Sequence, residues 1–305
     1  MVLCPICDGK STDFYCRKNL YIYYLCNSCD TLFLHPLPNS QFINRLYKKE
    51  FDYKTGLTEE KRIRRQSSGI LQKLRKLNPE AKSLLDIGSG YGFFLDEAKN
   101  YGLKLFGLEP ADILYSYSKN NFKGINLYNS DFETFYNKSF VNKFDFIILN
   151  HVIEHIVHPQ KTIRQVIELL KPKGILYIET PNLNSHLFKV QKENYTFLTP
   201  PEHLWIFSSK SFQQIFQKSQ SSVKLSFDTY SYPEHLMGII KKKLKIKNDK
   251  FKILKENKNE SNKQFPISKF KYLLFDRLIA PIFTPLLNIN YKGSILQLYI
   301  KKNLN

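Results

Sequence analysis

The chain has 305 residues, of which 42% are hydrophobic, and it carries a formal net charge of +19. This composition allows a sizeable core, and the absence of any run of about 18 uncharged apolar residues argues against a transmembrane helix. The charge could attract RNA, acidic lipid or phosphorylated substrates, or simply reflect a lysine-rich composition, so charge alone indicates no partner. The start, MVLCPICDGK, lacks the pattern of a secretion leader, so we expect a cytoplasmic protein.

Four of the five cysteines form two pairs near the N-terminus. The pairs Cys4-x-x-Cys7 and Cys26-x-x-Cys29 enclose 18 residues, a spacing typical of zinc ribbons. Four thiolates would surround Zn²⁺ tetrahedrally and leave no open position, so we expect a structural rather than a catalytic metal. Reduced thiols or disulfides are the alternative, and Cys16 fits neither pair. The sequence therefore predicts a zinc ribbon over residues 1–37.

A basic helical connector is predicted over residues 38–80, with a helix from about Thr58 to Leu77 that Pro79 ends. Short apolar runs then alternate with amphipathic stretches. The predicted strands are SLLDIG, LKLFGLE, INLYNS, FDFIILN and GILYIET, and the predicted helices between them are YGFFLDEAKNYG, ADILYSYSKNNF and PQKTIRQVIELLKP. This alternation predicts an α/β fold with a mostly parallel sheet covered by helices on both faces.

The regular alternation ends after Pro181, although the same domain is predicted to extend over residues 81–305. The segment SHLFKVQKENYTFLTPPEHLWIF resembles a long loop, and SSKSFQQIFQKS a helix. SVKLSFDTY and SILQLYIKK are predicted as two further strands. Between them lies an insertion of about residues 233–292, lysine- and asparagine-rich in its first half and apolar in its second.

The stretch LLDIGSGYGFFLDEA places Asp86 at a strand end, followed by Gly88 and Gly90 and then a helix. Glycines let the backbone turn sharply and let a ligand approach it. Phe93 stands where the dinucleotide fingerprint requires its third glycine. A carboxylate at this turn would repel a pyrophosphate and would suit a cation such as the ammonium group of S-adenosylmethionine. Glu109, ending the next strand, could accept hydrogen bonds from ribose hydroxyls.

The motifs LLDIGSGYGFFL, GLEP, NSDFETF and FDFIILNHVIEHIVHP, in this order, resemble those of class I S-adenosylmethionine-dependent methyltransferases. The resemblance implies a Rossmann-like sheet of seven strands, the last of them antiparallel. It also implies that Asp86, Gly88 and Gly90 hold the methionine part of the cofactor and that Glu109 holds its ribose. Asp131 and Phe132 would hold the adenine, and Asn150 would line the cofactor.

The string His151-Val-Ile-Glu154-His155 also matches the H-x-x-E-H pattern of one zinc-peptidase class. That class needs the motif on a long helix, whereas here a strand leads into it and Pro159 follows, so we expect a short turn. Relatives such as the ubiquinone-pathway O-methyltransferases carry E-x-x-E-H and bind a divalent ion there, but His151 replaces their first glutamate and magnesium favours oxygen ligands. The open alternatives are a metal site, a general base at His155 or His151, and a structural hydrogen-bonded loop.

The sequence leaves the methyl acceptor open. His203, in an aromatic loop, could overhang the acceptor or pack beside Trp205. A four-cysteine ribbon before this fold resembles methyltransferases of sugar and surface-polysaccharide biosynthesis, so we expect a small-molecule or glycan acceptor. The alternatives are an RNA ribose 2′-O-methyltransferase and a non-enzymatic zinc-ribbon adaptor. The segment of about residues 240–290 is expected either to contact the inner face of a membrane or to cover the substrate pocket.

Overall fold

A computed structural model of the chain describes residues 2–49, 54–219, 222–243 and 280–304. In these ranges the strands are β1 Thr12–Lys18, β2 Tyr21–Cys26, β3 Thr31–Leu34, β4 Ser83–Ile87, β5 Lys104–Leu108, β6 Ile125–Tyr128, β7 Phe144–Asn150, β8 Leu170–Pro181, β9 Trp205–Ile206, β10 Val223–Tyr230 and β11 Ile295–Lys302. The α-helices are α1 Ser40–Lys49, α2 Lys54–Thr58, α3 Glu60–Leu77, α4 Phe93–Ala98, α5 Asp112–Asn121, α6 Phe132–Phe135, α7 Pro159–Leu169, α8 His186–Gln191, α9 Ser209–Ser219, α10 Pro233–Lys243 and α11 Ala280–Leu287.

The larger sheet has seven strands within the described residues, in the order β10-β11-β8-β7-β4-β5-β6. Strands β4 to β8 run parallel to their neighbours among themselves. Strand β11 is antiparallel to both β8 and β10. The predicted seven-stranded, mostly parallel sheet with an antiparallel last strand is therefore confirmed.

The central strands form because their apolar runs are buried on both faces of the sheet. All five residues of β4 are buried, and in β7 only the last residue, Asn150, is partly exposed. Ile70 and Leu74 of α3 pack on one face with α4, and Ile163 and Val166 of α7 lie in the core on the other. The carboxyl ends of the parallel strands are left open at one edge, where ligands bind in such sheets.

The smaller sheet joins the N-terminal region to the rest of the protein. Its strand order is β1-β2-β3-β9, and β9 pairs antiparallel with β3 through Leu32 with Ile206 and Phe33 with Trp205. The expectation of a long loop over residues 185–207 is wrong at two places, because α8 and β9 lie within it. Ser185 caps α8 by accepting a hydrogen bond from the Phe188 amide at 3.0 Å, and β9 forms only because a distant strand pairs with it.

Most of the predicted insertion, residues 244–279, lies outside the described residues. Its described ends are α10 and α11, which contact each other. In α11 and the turn after it, the side chains of Phe283, Leu286 and Ile289 are 48%, 56% and 57% exposed. Across the described residues, the helices are too short or too polar to cross a bilayer.

Candidate active site

The turn after β4 has the backbone conformation that its glycines predict. Gly88 and Gly90 have φ values of +73° and +55°, in the left-handed region that favours glycine. A Cβ on Gly88 would lie 2.7 Å from Cγ2 of Val152, whereas one on Gly90 would meet nothing within 4 Å. Gly88 is therefore required for close packing, and Gly90 leaves open space beside the main chain.

Two buried acids lie at this turn. Asp86 and Glu109 are 3% and 5% exposed. Burial, together with the charge of Glu109, raises the pKa of Asp86 well above its usual value. Burial likewise raises the pKa of Glu109 to about 7, although its carboxylate accepts hydrogen bonds from the amides of Ala111 at 2.8 Å and Gly90 at 2.7 Å. A cation bound beside this acid pair would relieve the cost of ionising it.

A cleft of about 290 Å³ lies over the carboxyl ends of the parallel strands. Asp86, Asn150 and His203 are not among its lining residues, whereas seven of the predicted site residues line it and follow the four strands β4 to β7. They are Gly88, Gly90, Glu109, Asp131, Phe132, His151 and His155. We call this the strand-end cleft. The sheet topology thus brings together residues that are up to 67 positions apart in sequence.

Asp131 and Asn150 have different surroundings. Asp131 caps α6, because its Oδ1 accepts a hydrogen bond from the Thr134 amide at 2.8 Å. Its Oδ2 accepts a second from Asn44 Nδ2 at 3.2 Å. Asn150 ends β7, and its Oδ1 is buried without a hydrogen-bond partner in the described residues. The hydrogen-bonding capacity of that amide oxygen is therefore unused among the described residues.

His151 is clamped between two carboxylates. Its Nδ1 lies 3.2 Å from Glu154 Oε1 and its Nε2 lies 3.3 Å from Glu179 Oε1. Burial opposes a charge on the ring, but the two carboxylates outweigh it and raise the pKa of His151 well above its usual value. Its φ of +53° is uncommon for a residue other than glycine. His151 is thus held as an imidazolium, which cannot accept a proton.

The glutamate and second histidine of the motif lie in a short 3₁₀ turn, Ile153–His155, and not on a long helix. The expectation of a short turn is confirmed, and the geometry of a helical zinc-peptidase motif is absent from this segment. Glu154 is fully buried. Burial would raise its pKa, but the neighbouring His151 and His155 lower it to about 2. Glu154 is therefore a buried carboxylate balanced by histidines.

Among the described residues, His155 has hydrogen-bond partners at one ring nitrogen, Nδ1. Its Nδ1 lies 2.5 Å from the Tyr47 hydroxyl and 2.9 Å from the carbonyl oxygen of Glu202. Because a carbonyl only accepts hydrogen bonds, Nδ1 carries the proton. The lone pair of His155 is consequently on Nε2, and the ring lines the strand-end cleft.

His203 completes a three-residue cluster with Glu154 and His155. Its Nδ1 lies 2.6 Å from the Phe197 carbonyl, and its ring centroid lies 4.8 Å from that of His155. Burial, with the adjacent His155, lowers the pKa of His203 to about 4. One donor atom from each of the three residues lies within 4.8 Å of the others, and Glu154 Oε2 has no hydrogen-bond partner in the described residues. The trio could act on a proton or hold a divalent ion.

Sequence reasoning missed several residues at this site. Tyr47 and Asn44 come from α1, and the Tyr23 hydroxyl donates to the His203 carbonyl at 2.6 Å. Glu179, which clamps His151, also accepts a hydrogen bond from Tyr230 at 2.6 Å. Glu179 could have been found from the sequence, because it lies within the apolar run GILYIET and a buried charge needs partners.

The four paired cysteines form a cluster. Cys4 Sγ lies 3.6 Å from Cys29 Sγ, and Cys7 Sγ lies 3.5 Å from Cys26 Sγ. All four sulfur atoms lie within 4.8 Å of one another. Zn–S bonds of about 2.3 Å in a tetrahedron separate the sulfurs by about 3.8 Å, so the donor set fits zinc. Cys16 lies outside the cluster.

Comparisons with known proteins agree with this architecture. The sequence pattern of the methyltransferase-domain family matches residues 59–223. The ubiquinone biosynthesis O-methyltransferase of Coxiella burnetii is 26% identical over 134 residues, 42% of this chain and 56% of that protein. The mitochondrial enzyme of that name from Dictyostelium discoideum is 29% identical over 143 residues, 41% of this chain and 44% of that protein. The chain spans about half the length of these curated relatives.

Solved structures share the fold at low sequence identity. A SAM-dependent methyltransferase from Archaeoglobus fulgidus superposes with a TM-score of 0.51 at 18% identity, covering 82% of this chain and all of that one. The plantazolicin methyltransferase BpumL, solved with SAH, gives a TM-score of 0.54 at 15% identity, covering 86% of this chain and 94% of that one.

The seven-stranded sheet and its strand-end cleft define a class I methyltransferase fold. Because the family pattern covers more than half of the residues, the chain belongs to the methyltransferase-domain family. The predicted family is thereby confirmed.

Proposed function

We propose that the protein transfers the methyl group of S-adenosylmethionine to a small-molecule or sugar acceptor. The observation that carries this proposal is the buried pair of Asp86 and Glu109 at a glycine turn that leaves open space beside Gly90. Such a pair favours a cationic ligand over a pyrophosphate. The names of the curated relatives support a small acceptor.

Residues around the cleft would hold the methyl donor by its parts. Asp86 would take the ammonium group of the methionine moiety, beside the backbone of Gly88 and Gly90. Glu109 would accept hydrogen bonds from the ribose, Asp131 and Phe132 would contact the adenine, and Asn150 would offer its unpaired Oδ1. When bound, this cofactor supplies an electrophilic methyl carbon, so the protein needs chiefly to orient the acceptor and remove its proton.

His155 is the proposed general base. In the neutral ring the lone pair is on Nε2, because the Glu202 carbonyl only accepts hydrogen bonds and so places the proton on Nδ1. As the acceptor oxygen or nitrogen bonds to the methyl carbon, the carbon–sulfur bond breaks and its electron pair stays on sulfur. The acceptor proton passes to Nε2 of His155. His151, an imidazolium between two carboxylates, instead orders the turn.

A comparison of ligands and acceptors tests the proposal. Calorimetry should show that the protein binds S-adenosylhomocysteine (SAH), the donor without its methyl group, and does not bind NAD. Labelled methyl transfer to nucleotide sugars, lipid-linked glycans and short RNAs then separates the acceptor classes. RNA is the second candidate because of the net charge of +19, and transfer to RNA that falls steeply with salt would replace the small-acceptor proposal. Binding of neither SAH nor NAD would leave the adaptor function.

Zinc is the proposed metal of the four-cysteine cluster. Metal analysis should find about one zinc per chain, and the Cys4→Ser/Cys26→Ser variant should lose it and melt about 10 °C lower, because the ribbon has little core of its own. Cys16→Ser is the matched control and should keep the metal. A native protein without zinc would contradict this assignment. A second metal equivalent that disappears in Glu154→Gln would show that the histidine trio binds an ion instead of acting as a base.

Peripheral membrane contact is proposed for the described end of the insertion. Phe283, Leu286 and Ile289 are exposed apolar side chains, and Lys292 lies close in sequence. Replacing the three apolar residues by serine should reduce co-sedimentation with vesicles containing anionic lipid several-fold, since apolar burial and lysine charge act together. Equal pelleting of the variant and the wild-type protein would favour a cover over the substrate pocket.

A further inference from the structure

Helix α1 lines the strand-end cleft although it lies outside residues 59–223, which match the family pattern. Four of its residues reach the cleft, namely Ser40, Ile43, Asn44 and Tyr47. Ile43 is 5% exposed and anchors the helix in the core. Asn44 and Tyr47, three positions apart, lie on the same helix face. A helix from the N-terminal region therefore supplies polar groups to the cleft.

The carboxylate of Asp131 has two distinct oxygens. Its Oδ1 caps α6 through the Thr134 amide at 2.8 Å. Its Oδ2 accepts from Asn44 Nδ2 at 3.2 Å, and both of these residues line the cleft. Since each carboxylate oxygen has two lone pairs, Oδ2 retains one for a ligand.

The side-chain amide of Asn44 is oriented by this contact. A carboxylate only accepts hydrogen bonds, so the amide nitrogen must face Asp131, and the amide oxygen is left over. Among the described residues, Oδ1 of Asn44 has no hydrogen-bond partner. Two acceptors, Asp131 Oδ2 and Asn44 Oδ1, thus lie side by side at one part of the cleft.

We propose that Asn44 is a cofactor-binding residue that reads the exocyclic amine of adenine. One N–H of the amine would donate to Asp131 Oδ2 and the other to Asn44 Oδ1. A 6-oxo purine would present an acceptor to both oxygens and would be rejected. This inference rests on the proposed function, because it takes the adenine side of S-adenosylmethionine to lie at Asp131.

The test compares SAH with its 6-oxo analogue, S-inosylhomocysteine, by calorimetry. Asn44→Ala should weaken SAH binding fivefold to tenfold, the loss expected for one hydrogen bond. The same variant should bind the 6-oxo analogue as well as or better than the wild type does, so the preference for SAH shrinks. Arg45→Ala, on the exposed side of the same helix, is the control and should leave both affinities unchanged.

The preference ratio separates a direct contact from an indirect one. If Asn44 only supports the packing of α1, both ligands should weaken together and the ratio should stay constant, which would overturn the inference. Unchanged SAH affinity in Asn44→Ala would also overturn it while leaving the proposed function intact. A wild-type protein that binds no SAH would refute the proposed function itself.

Discussion

Replacing Asp86 by alanine or asparagine should weaken SAH binding by about 150-fold or more. The ammonium group of the ligand would lose a buried carboxylate partner, and leaving one charge of such a pair uncompensated costs about 3–5 kcal/mol. Calorimetry of the wild type, Asp86→Ala and Asp86→Asn measures the effect. Asp228→Asn is a suitable control, since this acid is about half-exposed and pairs with Lys73 on the surface. Wild-type affinity in either Asp86 variant would refute the assigned role.

The same variants should separate binding from stability. The folded-state pKa of Asp86 lies well above its usual value, so the carboxylate destabilises the free protein once the pH exceeds the unfolded-state pKa near 4. Asp86→Asn removes this cost and should raise the melting temperature by a few degrees while it weakens SAH binding. A loss of both stability and affinity would indicate misfolding and not a missing ligand contact.

Repeating the titration across pH gives a further readout of the acid pair. Glu109 has a pKa of about 7 in the free protein, and a bound cation would favour the ionised pair. SAH affinity should therefore rise from pH 6 to pH 8 with release of protons, which makes the measured enthalpy depend on the buffer. An affinity that is independent of pH over this range would contradict the coupling.

Replacing His155 by alanine should lower the rate of methyl transfer by about 1000-fold, the contribution expected of a general base. SAH affinity should change by less than about threefold, because none of the proposed donor contacts is lost. Single-turnover kinetics with labelled donor measures the first quantity and calorimetry the second. Added imidazole should restore part of the rate by filling the space and accepting the proton.

The control for His155 is His35→Ala, an exposed histidine of the N-terminal region, which should transfer methyl groups at the wild-type rate. Turnover of His155→Ala within tenfold of the wild type would remove the base from the mechanism. Loss of a bound metal ion in the same variant, without rescue by imidazole, would assign the trio of Glu154, His155 and His203 to metal binding.

Local sequence patterns were sufficient for the sheet and the glycine turn. Strands β4 and β7 are buried almost throughout, and Gly88 and Gly90 have the positive φ values that a turn of this kind requires. The carboxyl ends of these strands and the glycine turn lie at one edge of the sheet because the strands are parallel. The strand-end cleft was therefore predictable, since each of its acids and glycines follows a strand.

The remaining features depend on contacts between distant parts of the chain. Strand β9 has only two residues and exists because β3 pairs with it. The charge state of His151 depends on Glu179, 28 positions away, which no pattern around the histidine reveals. The helix α1 was not foreseen as a wall of the cleft, because its ten residues carry no glycine or acidic signature.

The edge shared by β3 and β9 limits how such a chain can be rearranged. Trp205 and Ile206, directly after His203, complete the N-terminal sheet. Excising the first 37 residues would expose these main-chain groups and the Trp205 ring to water next to His203. A gene fusion that exchanged residues 1–37 for another module would have to supply an equivalent strand, so the two parts are constrained to evolve together.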